Sequence, residues 1–240
     1  MYQITVSDIT VDVVRKDIKN MHLAVYPPTG RVRLAAPLEV DEDAIRLFAI
    51  SKIGWIRRNQ RKFENQERET PREYKERESH YFQGRRYLMR IKETTEPGYV
   101  VLRGKTYIDL YVKEGMSVEY KRNVMNEWYR AELRRVIPEI IERWEKKMDV
   151  RVNHWEVRQM KTKWGSCNIE KGIVRVNLEL AKKPIHCLEY IVVHEMVHLL
   201  ERLHNDRFIF LMDHYLPNWR QMRSELNRIE VGFAQWREGV

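Results

Sequence analysis

Cysteine is nearly missing from this chain: 240 residues contain only Cys167 and Cys187. Two thiols cannot build the disulfide framework of a small secreted domain, so the expected compartment is a reducing one, the cytoplasm. No run of about 18 apolar residues could span a bilayer, and no basic-then-apolar N-terminal segment resembles a signal peptide. No membrane partner is therefore expected. A Gly-rich phosphate loop is also lacking, which removes the usual cradle for a triphosphate. Low-complexity tracts and sequence repeats are absent as well.

The composition that remains is that of a soluble globular chain. It is 43% hydrophobic and 33% charged, enough to bury a core and stay dissolved. Net charge is +9, which permits contact with nucleic acid, a nucleotide or another polyanion without requiring it. Between Arg57 and Glu78 eight basic and six acidic residues interleave. Mixed signs of that kind favour a solvated helix end and loop over a nucleic-acid arm.

The chemistry concentrates in one stretch, His194-Glu195-Met196-Val197-His198, within an apolar run from Tyr190 to Leu200. Two histidines four apart on a helix share a face and can hold one Zn²⁺. The Glu next to the first histidine can take a proton from a water activated by that metal. Pro184 suits the start of this helix. His204 lies beyond it, where the chain can turn back to supply a third ligand. Glu201, seven residues after His194, would return to the same face if the helix continued. It could then orient an imidazole or itself be the third ligand. Cys167 lacks a partner at ligand spacing, and Cys187 sits in the apolar helix as core.

Ahead of this helix the chain reads as strands, then one helix, then strands again. Residues 1–36 look like a small antiparallel unit with a turn at Pro27-Pro28-Thr29-Gly30. Asp41 can cap a helix that runs toward Phe63. A hairpin is expected to turn near Gly84, with two more strands around Tyr99 to Leu102 and Thr106 to Val112. A nucleic-acid platform would need aromatics on one open face beside basic residues. The sequence alternation offers that only in part, so the aromatics read as sheet packing. Ser117 can cap a long helix of apolar residues reaching Met148, kinked or broken at Pro138. These features place a domain boundary near residue 115, with a β-rich region at 1–115 and the metal-binding domain at 116–240.

After a strand at Val152 to Met160, the segment Arg158 to Cys167 contains Lys163-Trp164-Gly165-Ser166, suited to the rim of a cleft. Ile173 to Leu178 reads as a strand that could bind an extended peptide along an edge. Lys163, Arg158, His214 and Tyr215 are candidates for stabilising an oxyanion. Phe208 and Trp219 read as core behind the histidine helix.

The segment Arg158 to Cys167, the pair Asn177-Leu178 and the run His194 to His204 together resemble the YgjP-like metallopeptidase family. Phe208, Leu216-Pro217-Asn218-Trp219-Arg220 and Ile53-Gly54-Trp55-Ile56 extend the resemblance over nearly the whole chain. Leu203 departs from the family's usual Asn, and Asn218 from its Asp. The resemblance implies an α+β, zincin-like metallopeptidase domain behind an N-terminal antiparallel β-rich region. It also implies a peptide or protein substrate, with Zn²⁺ on His194, His198 and His204 and with Glu195 catalytic. Some members are instead labelled UTP pyrophosphatases, and others accompany type I restriction systems. A nucleic-acid-associated adaptor with a structural metal site is the non-enzymatic alternative.

Overall fold

The computed structural model describes residues 1–26, 29–64, 72–160 and 163–228, and the side chains up to 61 and 226 in the two helices that end those stretches. It is a mixed α+β protein of two compact units that divide between Arg68 and Glu69. Among the described residues no helix is long and apolar enough to cross a membrane.

The first unit is a four-stranded sheet under two helices. Strands β1 (Tyr2–Val6), β2 (Ile9–Lys16), β3 (His22–Tyr26) and β4 (Arg31–Pro37) lie in the order β1-β2-β4-β3. The outer pairs are antiparallel hairpins, and the central pair β2/β4 is parallel. Alternation sends Ile4, Val6, Val11, Val13, Val32 and Leu34 to one face, where they form a core with Ile45, Ala49 and Ile56. These last three come from α1 (Glu42–Ser51) and α2 (Ile53–Glu64). Asp41 caps α1 by accepting from the Ala44 N–H. The single helix expected here is broken at Lys52, the C-cap of α1. Pro27 and Pro28 of the expected turn lie outside the described residues. So does part of the mixed-charge segment, residues 65–71.

The second unit begins with a sheet of the same design. Strands β5 (Ser79–Phe82), β6 (Arg85–Glu93), β7 (Tyr99–Arg103) and β8 (Tyr107–Val112) lie in the order β5-β6-β8-β7, again with a parallel central pair. Both sheets lead into a helix capped by a side chain. In the second unit that helix is α3 (Val118–Met148), with Ser117 accepting from the Tyr120 N–H. The chain therefore repeats a topology that its sequence does not repeat. Strand order needs only alternating burial and turns of similar length, and both stretches supply these with different side chains.

The expected boundary near residue 115 is moved by this architecture. Phe82, Tyr87, Met89, Ile108 and Leu110 of the second sheet share one core with Met125, Tyr129, Leu133 and Ile137 of α3. Pro138 also does not break α3, which runs unbroken for 31 residues. Pro138 and Arg134 both face solvent, so water can satisfy the carbonyl left without its helical donor. The buried residues from Met125 to Met148 keep three- and four-residue spacing across it.

Strands β9 (His154–Arg158), β10 (Gly165–Asn168) and β11 (Ile173–Asn177) form a third sheet in the order β10-β11-β9. The strand expected at an edge, Ile173 to Leu178, is instead central. It pairs antiparallel with β10 and parallel with β9. Such pairing is non-local, and alternation along one strand does not reveal it. A 3₁₀ turn, Leu178–Lys182, leads into α4 (Ile185–Val197). Helices α5 (Asp206–Tyr215) and α6 (Trp219–Arg228) complete the unit.

Candidate metal centre

From Cys187 through Val197 every residue of helix α4 except Glu189 is buried. A helix apolar all round belongs in a core, and α3 fixes it there. Arg143 and Trp144 of α3 both donate to Glu189 Oε1 of α4, at 2.8 and 2.9 Å. From the other side, the Trp219 ring of α6 stacks on Tyr190. At the N-terminus of α4, the β5–β6 hairpin is pinned to the preceding 3₁₀ turn. Gln83 and Gly84 donate their N–H groups to the Ala181 and Lys182 carbonyls, at 2.9 and 3.1 Å.

The helix ends at Val197, with His198 as C-cap. The chain then turns, as the Leu200 and Glu201 N–H groups both return to the Val197 carbonyl. This removes the expectation that Glu201 lies on the His194 face of a continuing helix. Its carboxylate instead accepts from the Leu203 N–H at 3.0 Å and faces Arg207. What reaches the site is the Glu201 carbonyl, 3.1 Å from His198 Nδ1. A proton on Nδ1 would donate to that carbonyl and leave Nε2 as the lone-pair nitrogen, the usual way a backbone carbonyl orients a ligand imidazole.

The turn brings His204 back to the helix. One nitrogen each from His194, His198 and His204 lies within 4.8 Å of the others. His204 Nε2 is 3.0 Å from His194 Nε2. Two nitrogens on one tetrahedral Zn²⁺ stand about 3.3 Å apart, so little adjustment is needed to seat the ion. The donor set suits zinc, being all imidazole. Burial pushes the pKa of His194 well down, helped by His198 and His204, and burial lowers that of His198 too. Neutral imidazoles are the form that binds a metal. Phe208, the N-terminal turn of α5, packs its ring within 4.9 Å of all three imidazole centroids. It is core as expected, yet it touches the histidines directly instead of standing behind their helix.

Glu195 is 3% exposed. Burial pushes its carboxyl up to about 8, with the charge of Lys163 working the other way. Gly165 of β10 lies directly against it. A Cβ there would sit 2.6 Å from Glu195 Oε1 and 2.9 Å from Ile191. The glycine in Trp164-Gly165-Ser166 is thus required for close approach of the β10 backbone to the carboxylate. Asn177 holds the segment that precedes it. Its Nδ2 donates to the Met160 and Lys163 carbonyls, at 3.0 and 2.7 Å, and its N–H to the Trp164 carbonyl. Lys161 and Thr162 between them lie outside the described residues.

Of the oxyanion candidates, Lys163 is the one whose charge reaches Glu195. Arg158 is paired with Glu156 at 3.0 Å, and His214 stacks on Phe210. Tyr215 lies edge-on to His214. Burial, with Glu195 adding to it, pushes the Cys167 thiol up to about 12, and among the described residues Cys167 joins no cluster of three groups able to hold a metal ion. A groove of about 630 Å³ lined by Arg134, His154 and Trp155 runs along β9, the opposite edge of the sheet from β10.

Three features were not readable in advance. Asn177 was noted only as part of a pair, and the close approach of Gly165 needs the fold. His186, Cys187 and Glu225 form a second group whose ligand atoms lie within 4.8 Å, with His186 Nε2 2.7 Å from Glu225 Oε2. No spacing rule joins residues 38 positions apart, so only packing of α6 on α4 reveals it.

The family model described as YgjP-like, metallopeptidase domain, matches residues 19–229. No curated protein matches the chain in sequence. Among solved structures, the crystal structure of the metallopeptidase zymogen of Pyrococcus abyssi abylysin aligns with a TM-score of 0.38 and 12% identity. That alignment covers 41% of this chain and 100% of the other.

Proposed function

This chain belongs to the YgjP-like metallopeptidase-domain family, and from that premise we propose that it hydrolyses peptide bonds with the help of Zn²⁺. The supporting observation is the convergence of three imidazoles, with the buried Glu195 next in sequence to the first of them. His194, His198 and His204 would hold the ion. When bound, Zn²⁺ supplies Lewis acidity, lowering the pKa of a water and polarising a carbonyl.

The chain's own groups do the rest. Glu195 accepts the proton the water loses as it attacks the carbonyl carbon, and passes it to the amine nitrogen as the C–N bond breaks. Burial keeps competing water from that carboxylate. The Glu201 carbonyl holds the His198 ring in one orientation. Strand β10 is an edge of its sheet and carries Gly165 against Glu195. An extended substrate pairing with that edge would be held by main-chain hydrogen bonds, which need no particular side chain. Lys163, whose charge is felt at Glu195, would steady negative charge on the substrate oxygen.

The test is a parallel assay of zinc-loaded wild type and Glu195→Gln. One arm uses peptide and protein libraries read by mass spectrometry. The other follows pyrophosphate release from UTP and other nucleotides with Zn²⁺ or Mg²⁺. The expected result is peptide cleavage by the wild type, reduced at least about 10³-fold in the variant with zinc content unchanged. Pyrophosphate release that needs Glu195, without peptide cleavage, would overturn the choice of substrate.

A further inference from the structure

The outward face of the β5–β8 sheet differs from an ordinary solvated sheet face. Its inward residues, Phe82, Tyr87, Met89, Ile108, Leu110 and Val112, belong to the core. Alternation therefore turns Tyr81, Arg86, Leu88, Arg90, Lys92, Tyr99, Arg103, Tyr107 and Tyr111 to the other side. The registers place them as neighbours. Tyr81 faces Arg86, Arg103 faces Tyr107, and Lys92 and Tyr99 flank Tyr111. Tyr81, Tyr99 and Tyr107 are 38%, 40% and 37% exposed. Phe82 and Tyr87 pack into the core, as the sequence leads one to expect, whereas Tyr81, Tyr99 and Tyr107 lie on the outward face.

The cations on this face are ordered. Asp109, buried at the centre of the face, accepts from Arg90 at 2.6 and 3.0 Å and from Arg103 at 3.2 Å. The Arg90 guanidinium also lies over the Tyr107 ring, 4.3 Å from its centroid. Arg103 donates to the Tyr111 hydroxyl at 3.3 Å. Tyr99 and Tyr111 stack with their rings 7° from parallel. One carboxylate thus fixes two of four cations, and the face keeps an excess of positive charge.

We propose that this face binds single-stranded nucleic acid, with bases stacking on the exposed tyrosines and phosphates meeting Arg86, Arg90, Lys92 and Arg103. Charge complementarity favours a polyanion, and the net charge of +9 adds to its attraction. The rings narrow the choice. Exposed aromatic faces are useful to bases that are unstacked and free to lie on them, whereas a duplex hides its base faces. The first sheet has the same strand order but lacks this surface. Its outward residues include Lys16, Arg31 and Arg33 around Asp12, so it too carries cations, but Thr5, Thr10, Ala24 and Ala35 stand where the second sheet has rings, and Tyr26 is the one tyrosine among the strand residues that alternate with its core. The proposal does not depend on the metal centre or on hydrolysis.

The test is fluorescence anisotropy with the full chain and labelled oligonucleotides of about 20 nucleotides. Single-stranded DNA, single-stranded RNA and duplex DNA are compared, each titrated from about 50 to about 200 mM salt, with heparin as competitor. The single strand should bind at least about tenfold tighter than the duplex. Replacing Tyr81 and Tyr99 together by Ala should weaken it about tenfold or more, and replacing both by Phe should restore it. Replacing Arg86 and Lys92 by Ala should flatten the salt dependence by about one to two units of slope. Tyr26→Ala and Glu195→Gln should bind as wild type. A preference for DNA or for RNA identifies the natural ligand, and either supports the proposal. Equal binding of duplex, or a Tyr81/Tyr99 variant that binds like wild type, or a Tyr26→Ala loss of the same size, would overturn it.

Discussion

The two four-stranded sheets share order, pairing sense and a following capped helix, yet they differ in what their hairpins rest on. In the first unit, Gly30 in the β3–β4 turn has φ +72, and a Cβ there would meet Gln60 Cγ, part of a rotatable side chain, at 2.9 Å. In the second, Gly84 in the β5–β6 turn has φ +76, and a Cβ would meet the Pro184 ring at 2.6 Å. Pro184 is the N-cap of α4, the helix bearing His194 and Glu195. The same local device therefore rests on a side chain in one unit and on the start of the helix bearing His194 and Glu195 in the other. A shared topology does not by itself give a sheet a role; the surfaces packed on it do.

The largest expected contrast tests that difference. Gly84→Ala should destabilise by about 2–4 kcal/mol, combining left-handed backbone strain with an unyielding clash. Gly30→Ala should cost about 1 kcal/mol, because Gln60 can move aside. Thermal melts of both variants would show it, and equal shifts would erase the contrast. Gly84→Ala should also weaken zinc binding, whereas Gly30→Ala should not.

A smaller contrast concerns the acid buried on the outward face of each sheet. Asp109 is held by Arg90 and Arg103, which outweigh its burial and keep its carboxyl below the usual range. Asp12 is kept low by Gln3 and then Arg31. Asp109→Asn leaves two arginines without their carboxylate and should cost about 2 kcal/mol. Asp12→Asn should cost less, since its amide oxygen can still accept from Gln3. Chemical denaturation would rank the two, and the opposite order would contradict this account of the networks.

The smallest contrast is in pH dependence. His80, buried in β5, has its pKa lowered by burial, with Glu78 opposing and Arg72 and Lys182 assisting. The unfolded chain then binds the proton more readily than the folded one. Stability contributed by the neutral ring is present above 6.5 and is lost as pH falls through the folded value. The slope cannot exceed one proton, about 1.4 kcal/mol per pH unit. His80→Phe should remove that part of the slope, measured as the difference between the two denaturation series. Identical slopes would sink the assignment. Amide exchange should place the acid-sensitive opening in β5–β8 and leave β1–β4 unaffected.

These contrasts also mark what was legible in the sequence. Local chemistry was readable: Asp41 and Ser117 as caps, Gly84 as a turn, and the spacing of His194 to His198 on a helix. The family resemblance was readable too, because its motifs are short and contiguous. Long-range pairing was not. Nothing in Ile173 to Leu178 says that β9 will cover its second edge, so that strand is central and β10 is the edge on the Gly165 side. Pro138 misled because its effect depends on which side of α3 meets water. The division near residue 115 misled because a composition change marks a new element, not a new core. The aromatic face of the second sheet was split among four strands, and only their registers assemble it.

In the proposed centre, His194, His198 and His204 hold one Zn²⁺ with a fourth position left open to water. X-ray absorption of the protein loaded with one equivalent of zinc tests it most directly. The account predicts a shell of three imidazole nitrogens and one oxygen from solvent, with no sulfur, and loss of that pattern in His204→Ala. A sulfur in the shell would bring in Cys167 or place the ion at His186, Cys187 and Glu225, and a fourth protein ligand would close the site to substrate; either result would contradict the three-histidine centre.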